Sequence, residues 1–170
     1  MKNGPAVQRI TMASAESVLK KIEATRDRDK RMKILKAVAQ INAPWVEQVL
    51  LESLADKAEA IRDFLVQELS GREKLDLGLV QKQLRKPPWY ARSATLKILG
   101  MKRLPEAVPV IESSLLDANA DVRRSAARSL SEIGGKEVVP LLVRLSKDGN
   151  HYVRITAEEA LRRVSEVRFI

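Results

Sequence analysis

The fold is decided by Asn119-Ala-Asp-Val-Arg-Arg-Ser-Ala-Ala-Arg-Ser-Leu-Ser-Glu-Ile-Gly-Gly135 and by the stretch that follows it, Lys136-Glu-Val-Val-Pro-Leu-Leu-Val-Arg-Leu-Ser-Lys-Asp148. Small and apolar residues recur at three- and four-residue intervals, and the Gly134-Gly135 pair interrupts them. The segment therefore reads as two helices and the turn between them. Arg123 sets the register. Arg92, Arg62 and Arg31 stand 31, 61 and 92 residues before it, and Arg154 stands 31 after it. A fixed period of this length predicts a solenoid, in which each unit buries its apolar face on its neighbours.

The columns around these arginines keep the same register. Three and four residues on stand Ile34/Leu35, Leu65/Val66, Thr95/Leu96, Ala126/Ala127 and Ala157/Glu158; seven on stand Val38, Leu69, Leu99, Leu130 and Leu161. That spacing is one stripe of a helix. A second helix repeats as well, with Val49/Leu50, Val80/Gln81, Val110/Ile111 and Leu141/Leu142 in equivalent positions. Pro109 and Pro140 share a column, which must lie in a first helical turn, where the N–H groups lack intrahelical partners. No stretch alternates residue by residue, so the sequence predicts no strand.

At 170 residues the chain is one domain or one continuous array. Its apolar residues suffice for a core, yet only 4% are aromatic, which suits closely stacked helices. With no cysteine there is neither a disulfide nor a thiolate metal site, and the composition fits a cytoplasmic protein. The first 13 residues are polar, broken by Gly4-Pro5, and lack the apolar run of a signal peptide. No later stretch is long enough to span a membrane. The formal charge of +9 favours acidic partners, nucleic acid among them, without conferring specificity.

In order, residues 1–13 read as a flexible tail. Residues 14–26 form a half-unit, a helix capped by Ser14 that matches a second helix in register. Full units follow at 27–56, 57–86, 87–117 and 118–148, and a terminal helix occupies 149–170. At that last helix the core column carries Glu158, and Arg162, Arg163, Glu166 and Arg168 add charge, as a solvent-facing terminal unit requires.

The pattern Asp-x₄-Val-Arg-x-x-Ala…Leu…Gly-Gly-x-x-x-Val-Pro-x-Leu resembles the HEAT-like repeat, in the short form of about 31 residues known from phycobilisome lyases. The match is strongest over 117–157, good over 87–117 and weaker but in register over 27–86. The resemblance implies an all-α, right-handed, armadillo-like solenoid of stacked antiparallel helix pairs, with the second helices on the concave face. It also implies a ladder between units made by the arginine and a preceding aspartate. Asp56, Asp117 and Asp148 each stand six residues before Arg62, Arg123 and Arg154, while Lys86 breaks the series before Arg92. Such arrays serve many purposes, so the repeat specifies fold far better than function.

The arginine column, Arg31, Arg62, Arg92, Arg123 and Arg154, reads as structural satisfaction between units rather than as an anion-binding ridge. Trp89-Tyr90 is the oddest local feature. These aromatics occupy columns that elsewhere carry Arg28, Glu59 and His151, or Asp29, Asp121 and Tyr152. They read either as a sticky spot at the rim between units or as a staple packed back on the helix start. Trp45 interrupts an otherwise acidic column of Asp76, Glu106 and Glu137, and reads as a cap on the first unit or as a further partner contact. His151 and Tyr152 complete the partner-binding candidates. Basic residues gather at the turns inside units: Arg72, Lys74, Lys102, Arg103 and Lys136. They form a solvated rim or a track for phosphates or an acidic protein.

Catalysis finds little support. His151 is the single histidine, so neither a Ser-His-acid triad with spare parts nor a His-rich metal site is available. Deoxyhypusine hydroxylases share the architecture and carry paired His-Glu metal motifs that this chain lacks. Phycobilin lyases share the repeat, which alone does not transfer their activity. Alkylpurine glycosylases of this architecture use aromatic, acidic and basic cleft residues, and no motif here matches them residue by residue. The expectation is a non-catalytic scaffold or adaptor without cofactor or metal, binding a protein, with nucleic-acid binding along the basic rim as the alternative.

Overall fold

The computed structural model describes residues 5–166, and side chains from residue 15 onward. Ten α-helices succeed one another, with no strand among the described residues: α1 (Pro5–Ala24), α2 (Arg28–Ala39), α3 (Val46–Glu52), α4 (Glu59–Gly71), α5 (Leu77–Gln83), α6 (Trp89–Lys102), α7 (Val108–Glu112), α8 (Ala120–Ile133), α9 (Val139–Leu145) and α10 (His151–Glu166). They form an α-solenoid. The long even-numbered helices α4, α6, α8 and α10 lie side by side in order, and the short odd-numbered ones pack beneath them.

The expected columns form the core. Leu35, Leu50, Leu65, Leu69, Leu96, Leu99, Leu130 and Leu142 are all fully buried. Each even helix lays its apolar stripe on its own short partner and on the next even helix, so burial continues from unit to unit. In α5 the register slips. Gln81 is exposed where the other units bury Leu50, Ile111 and Leu142, and Gln83 is buried instead. The short helices are not continuous α-helices as their sequences suggest. 3₁₀ turns extend α3 (Ser53–Ala55), precede α7 and α9 (Pro105–Ala107, Lys136–Val138) and follow α7 (Ser113–Leu116). Pro109 and Pro140 stand in the first turns of α7 and α9, as their shared column requires.

The N-terminal reading needs correction. Helix α1 starts at Pro5 rather than Ser14, so 5–13 belong to the first helix and not to a flexible tail. Proline is well suited to a first helical position, where its missing N–H costs nothing. Residues 1–4 of that tail and 167–170 of the terminal helix, Arg168 included, lie outside the described residues.

The even helices all start on one edge of the solenoid, at the loops that join consecutive units, and end on the opposite edge, at the turns inside units. Arg103 at the end of α6 takes a left-handed helical conformation (φ 50°), and Gly134 and Gly135 after α8 also have positive φ, 73° and 88°, but with extended ψ. Two kinds of loop therefore define two kinds of edge, and the candidate residues divide between them.

Candidate functional site

On the inter-unit edge the arginines build a ladder. Arg31 donates through Nε and Nη2 to both carboxylate oxygens of Asp56, at 2.6 and 3.0 Å. Arg92 does the same to Asp117 at 2.7 and 2.9 Å, and Arg123 to Asp148 at 2.7 and 2.9 Å. Each fork thus reaches the aspartate 25 residues later, in the loop that opens the following unit. The third nitrogen points the other way. Nη1 of Arg123 donates to the carbonyls of Asp117 and Ala118, at 2.7 and 3.3 Å, and Nη1 of Arg31, Arg62, Arg92 and Arg154 holds equivalent carbonyls. One guanidinium therefore ties its own unit's loop to the next one.

The aspartates also fold their loops. Asp56, Asp117 and Asp148 accept the N–H of Ala58, Asn119 and Asn150 at 2.8, 2.9 and 2.8 Å. Asn119 then caps α8 by accepting from Asp121 and Val122, and Asn150 caps α10 by accepting from Tyr152 and Val153. For Asp117, burial pushes the carboxyl up, but the Arg92 fork and the Asn119 N–H outweigh it and the net pKa lies below the ordinary value. For Asp148, the Arg123 fork leads and again holds the carboxyl low.

This sets a pH dependence. A carboxylate whose folded pKa is depressed contributes stability in full above its unfolded value, about 3.9, and loses it as pH falls through the folded value. Glu47 works in the opposite sense. Burial raises its pKa despite the Asp76 N–H it accepts at 2.6 Å, so its protonation favours the fold. The expected urea midpoint is flat from about pH 7 to 5 and falls below about pH 4. The acid limb shallows in Asp117→Asn/Asp148→Asn, and an equally steep limb in that variant counts against the ladder as its source.

The rung of Arg62 departs from the pattern. The position 25 residues on is Pro87. Instead of a carboxylate, the Tyr90 ring lies against the guanidinium, 4.6 Å from ring centre to Cζ, and the Tyr90 hydroxyl donates to the Ala55 carbonyl at 3.2 Å. Tyr90 is half-buried and takes part in the ladder, packed back on the preceding unit. Tyr152 shares its column but remains 65% exposed, since Arg123 already has Asp148.

Trp89 stays at the surface, 44% exposed, with its ring edge-on to Tyr90 at 5.8 Å. Leu116, which sequence reasoning missed, is 82% exposed immediately before Asp117. Trp89 stands one turn before Arg92 on α6 and Leu116 immediately before Asp117, so both exposed side chains belong to residues next to the Arg92–Asp117 rung in the chain. His151 is exposed beside Tyr152, ring centres 5.7 Å apart. Trp45 does not join this group. It is half-buried against the core at the start of α3, on the opposite edge, and makes no side-chain cap bond to that helix.

The basic rim on that opposite edge is largely stitched into the protein. Arg72 donates through Nη2 to the Ala39 carbonyl and pairs with Glu68 at 3.4 Å. Lys102 donates to the Arg72 carbonyl. Arg103 shares Glu132 with Arg163, at 3.3 and 3.2 Å, across an open groove of about 770 Å³. Lys74 and Lys136 are exposed. The five basic residues of these three turns are therefore not five free charges at the surface. Among the described residues no group of three His, Asp or Glu side chains is placed to hold a metal, and no helix is long and apolar enough to cross a membrane.

Stacked helix pairs joined by a repeated Arg–Asp rung define a helical-repeat solenoid protein. The chain belongs to the HEAT-repeat family: the family model for HEAT repeats matches residues 78–162. No curated protein sequence matches the chain. Among solved structures it is similar to human deoxyhypusine hydroxylase in complex with glycerol, at 11% identity and a TM-score of 0.49, covering 96% of this chain and 100% of that one. It is also similar to an engineered protein at 17% identity and a TM-score of 0.48, covering 96% of this chain and 85% of that one.

Proposed function

We propose that the chain is a non-catalytic scaffold that binds another protein on its inter-unit edge. The observation that carries this reading is the exposure of Trp89 and Leu116 on the segments that the Arg92–Asp117 rung ties together. Aromatic and aliphatic side chains on a rigid support bind at low entropic cost, and tryptophan dominates many interfaces. The positive net charge steers an acidic partner toward the surface. The rim of Arg72, Lys74, Lys102, Arg103 and Lys136 supports nucleic-acid binding less well, because Arg72, Lys102 and Arg103 spend donors on neighbouring carbonyls and carboxylates, which leaves Lys74 and Lys136 as its exposed charges.

The test is affinity capture and cross-linking from the source cells, with Trp89→Ala as control. The variant is expected to lose about 2 kcal/mol or more of partner binding, roughly thirtyfold, while its own stability changes by about 1 kcal/mol or less. A chain that captures no protein, yet binds short DNA or RNA with steep salt dependence and regardless of Trp89, belongs instead to the nucleic-acid class.

A further inference from the structure

Among the described residues, Arg31, Arg92 and Arg123 of the five ladder arginines hold a carboxylate in the fork between Nε and Nη2, whereas Arg62 and the terminal Arg154 do not, and Arg62 is the one with a further unit stacked beside it. Its Nη1 is fixed by the carbonyls of Asp56 and Lys57, at 2.8 and 2.9 Å, and its face is covered by Tyr90. The guanidinium is thus oriented by the same carbonyl contacts as its counterparts. Of its carboxylate neighbours on α4, Asp63 turns to Lys97, and Glu59 does not come within ion-pair distance. Arg62 is half-buried, yet the fork is not among the buried polar atoms that lack a partner, so solvent reaches it. Pro87 is exposed at the position where the other rungs carry their aspartate, and Trp89 is exposed two residues further.

We propose that Arg62 is an open rung, completed by an aspartate or glutamate side chain of the protein partner while Trp89 receives an adjacent apolar residue. This rests on the protein-binding reading and specifies its ligand chemistry. The geometry is already displayed three times in the same molecule, where Nε and Nη2 meet both oxygens of one carboxylate at 2.6–3.0 Å. Bidentate pairing of this kind selects a planar carboxylate, and a pre-fixed guanidinium loses little freedom on forming it. Lys57 and Lys86 are exposed in the flanking loops and add attraction for an acidic segment, with Lys86 partly occupied by Glu52 at 3.1 Å.

The probe is a phage-displayed library of short random peptides, selected on the intact chain and measured against two variants. Pro87→Asp supplies the carboxylate from within the chain, at the spacing the other rungs use. Arg62→Lys keeps the charge and the stem but removes the fork. Selected peptides are expected to share an acidic residue next to an aromatic or aliphatic one, and to bind both variants on the order of tenfold more weakly. Peptides without an acid, or peptides that bind both variants as tightly as the parent, overturn the open rung while leaving the scaffold reading in place. Failure to enrich any peptide also overturns it, and the scaffold reading is then judged by the Trp89→Ala capture alone. Circular dichroism confirms that each variant folds, and if Pro87→Asp does not, Arg62→Lys decides.

Discussion

Arg123→Met is expected to lower the stability of the protein by about 3 kcal/mol, at the lower end of what breaking a buried ion pair costs. Methionine keeps the apolar stem and deletes the fork and its carbonyl contacts together. Asp148, whose side chain is only 10% exposed, is left with the Asn150 N–H and, as its nearest charge, the Arg154 guanidinium, which bonds its carbonyl and not its carboxylate. The lower end applies because both partners retain some contact with water, Arg123 being 17% exposed. Removing the orphan as well, in Arg123→Met/Asp148→Leu, is expected to recover part of the loss, since much of the cost is the unpaired charge and not the lost attraction. Urea denaturation gives both values. In a solenoid each unit depends on its neighbours, so hydrogen exchange should first accelerate in the Asp148 loop and in α10. A single variant within about 0.5 kcal/mol of the parent, as for an ordinary surface change, removes the ladder from the list of what holds the stack.

The period was legible because arginine is a costly residue to bury and recurs here with the loop carbonyls that each one holds. The partner itself was half legible. Spacing places Asp117 six residues before Arg123, but the fork of Arg123 takes Asp148, and Asp117 goes to Arg92. Sequence order cannot separate a residue's side chain from its carbonyl, and here the two serve different arginines. Tyr90 was conspicuous for the same hidden reason: a missing aspartate and an extra ring are one substitution, visible as such only when Arg62 lies beneath it. The basic rim misled because helix C-terminal carbonyls are invisible in a list of charges, and Arg72 and Lys102 spend their donors there. Leu116 escaped notice because the second of two adjacent leucines closing an apolar helix reads as core, and the 3₁₀ turn buries Leu115 while Leu116 faces outward.

Replacing Gly100 by valine is expected to cost about 2 kcal/mol, for a reason that also explains the spacing of the stack. A Cβ on Gly100 would stand 2.9 Å from the Ser129 Cα and 3.2 Å from its Cβ and Oγ, so α6 and α8 touch almost backbone to backbone. Ser129 cannot yield by rotating, because its hydroxyl is held between the carbonyls of Leu96 and Ser125 at 2.6 and 2.9 Å. The helices must separate instead, and Leu96, Leu99 and Leu130 between them lose packing. Better helix propensity than glycine offsets less than about 1 kcal/mol of this. The column eight residues after each key arginine reads Ala39, Ser70, Gly100, Ser131 and Arg162. Small residues stand wherever another even helix follows, and a long one stands on α10, where none follows among the described residues. Gly71 supplies the contrast. A Cβ there meets nothing within 4 Å, so Gly71→Ala at the end of α4 is expected to be neutral or to stabilise by about 0.5 kcal/mol. Thermal and urea unfolding of the two variants side by side separate close approach from propensity, and equal effects at both sites would mean that contact between the even helices does not set the repeat spacing.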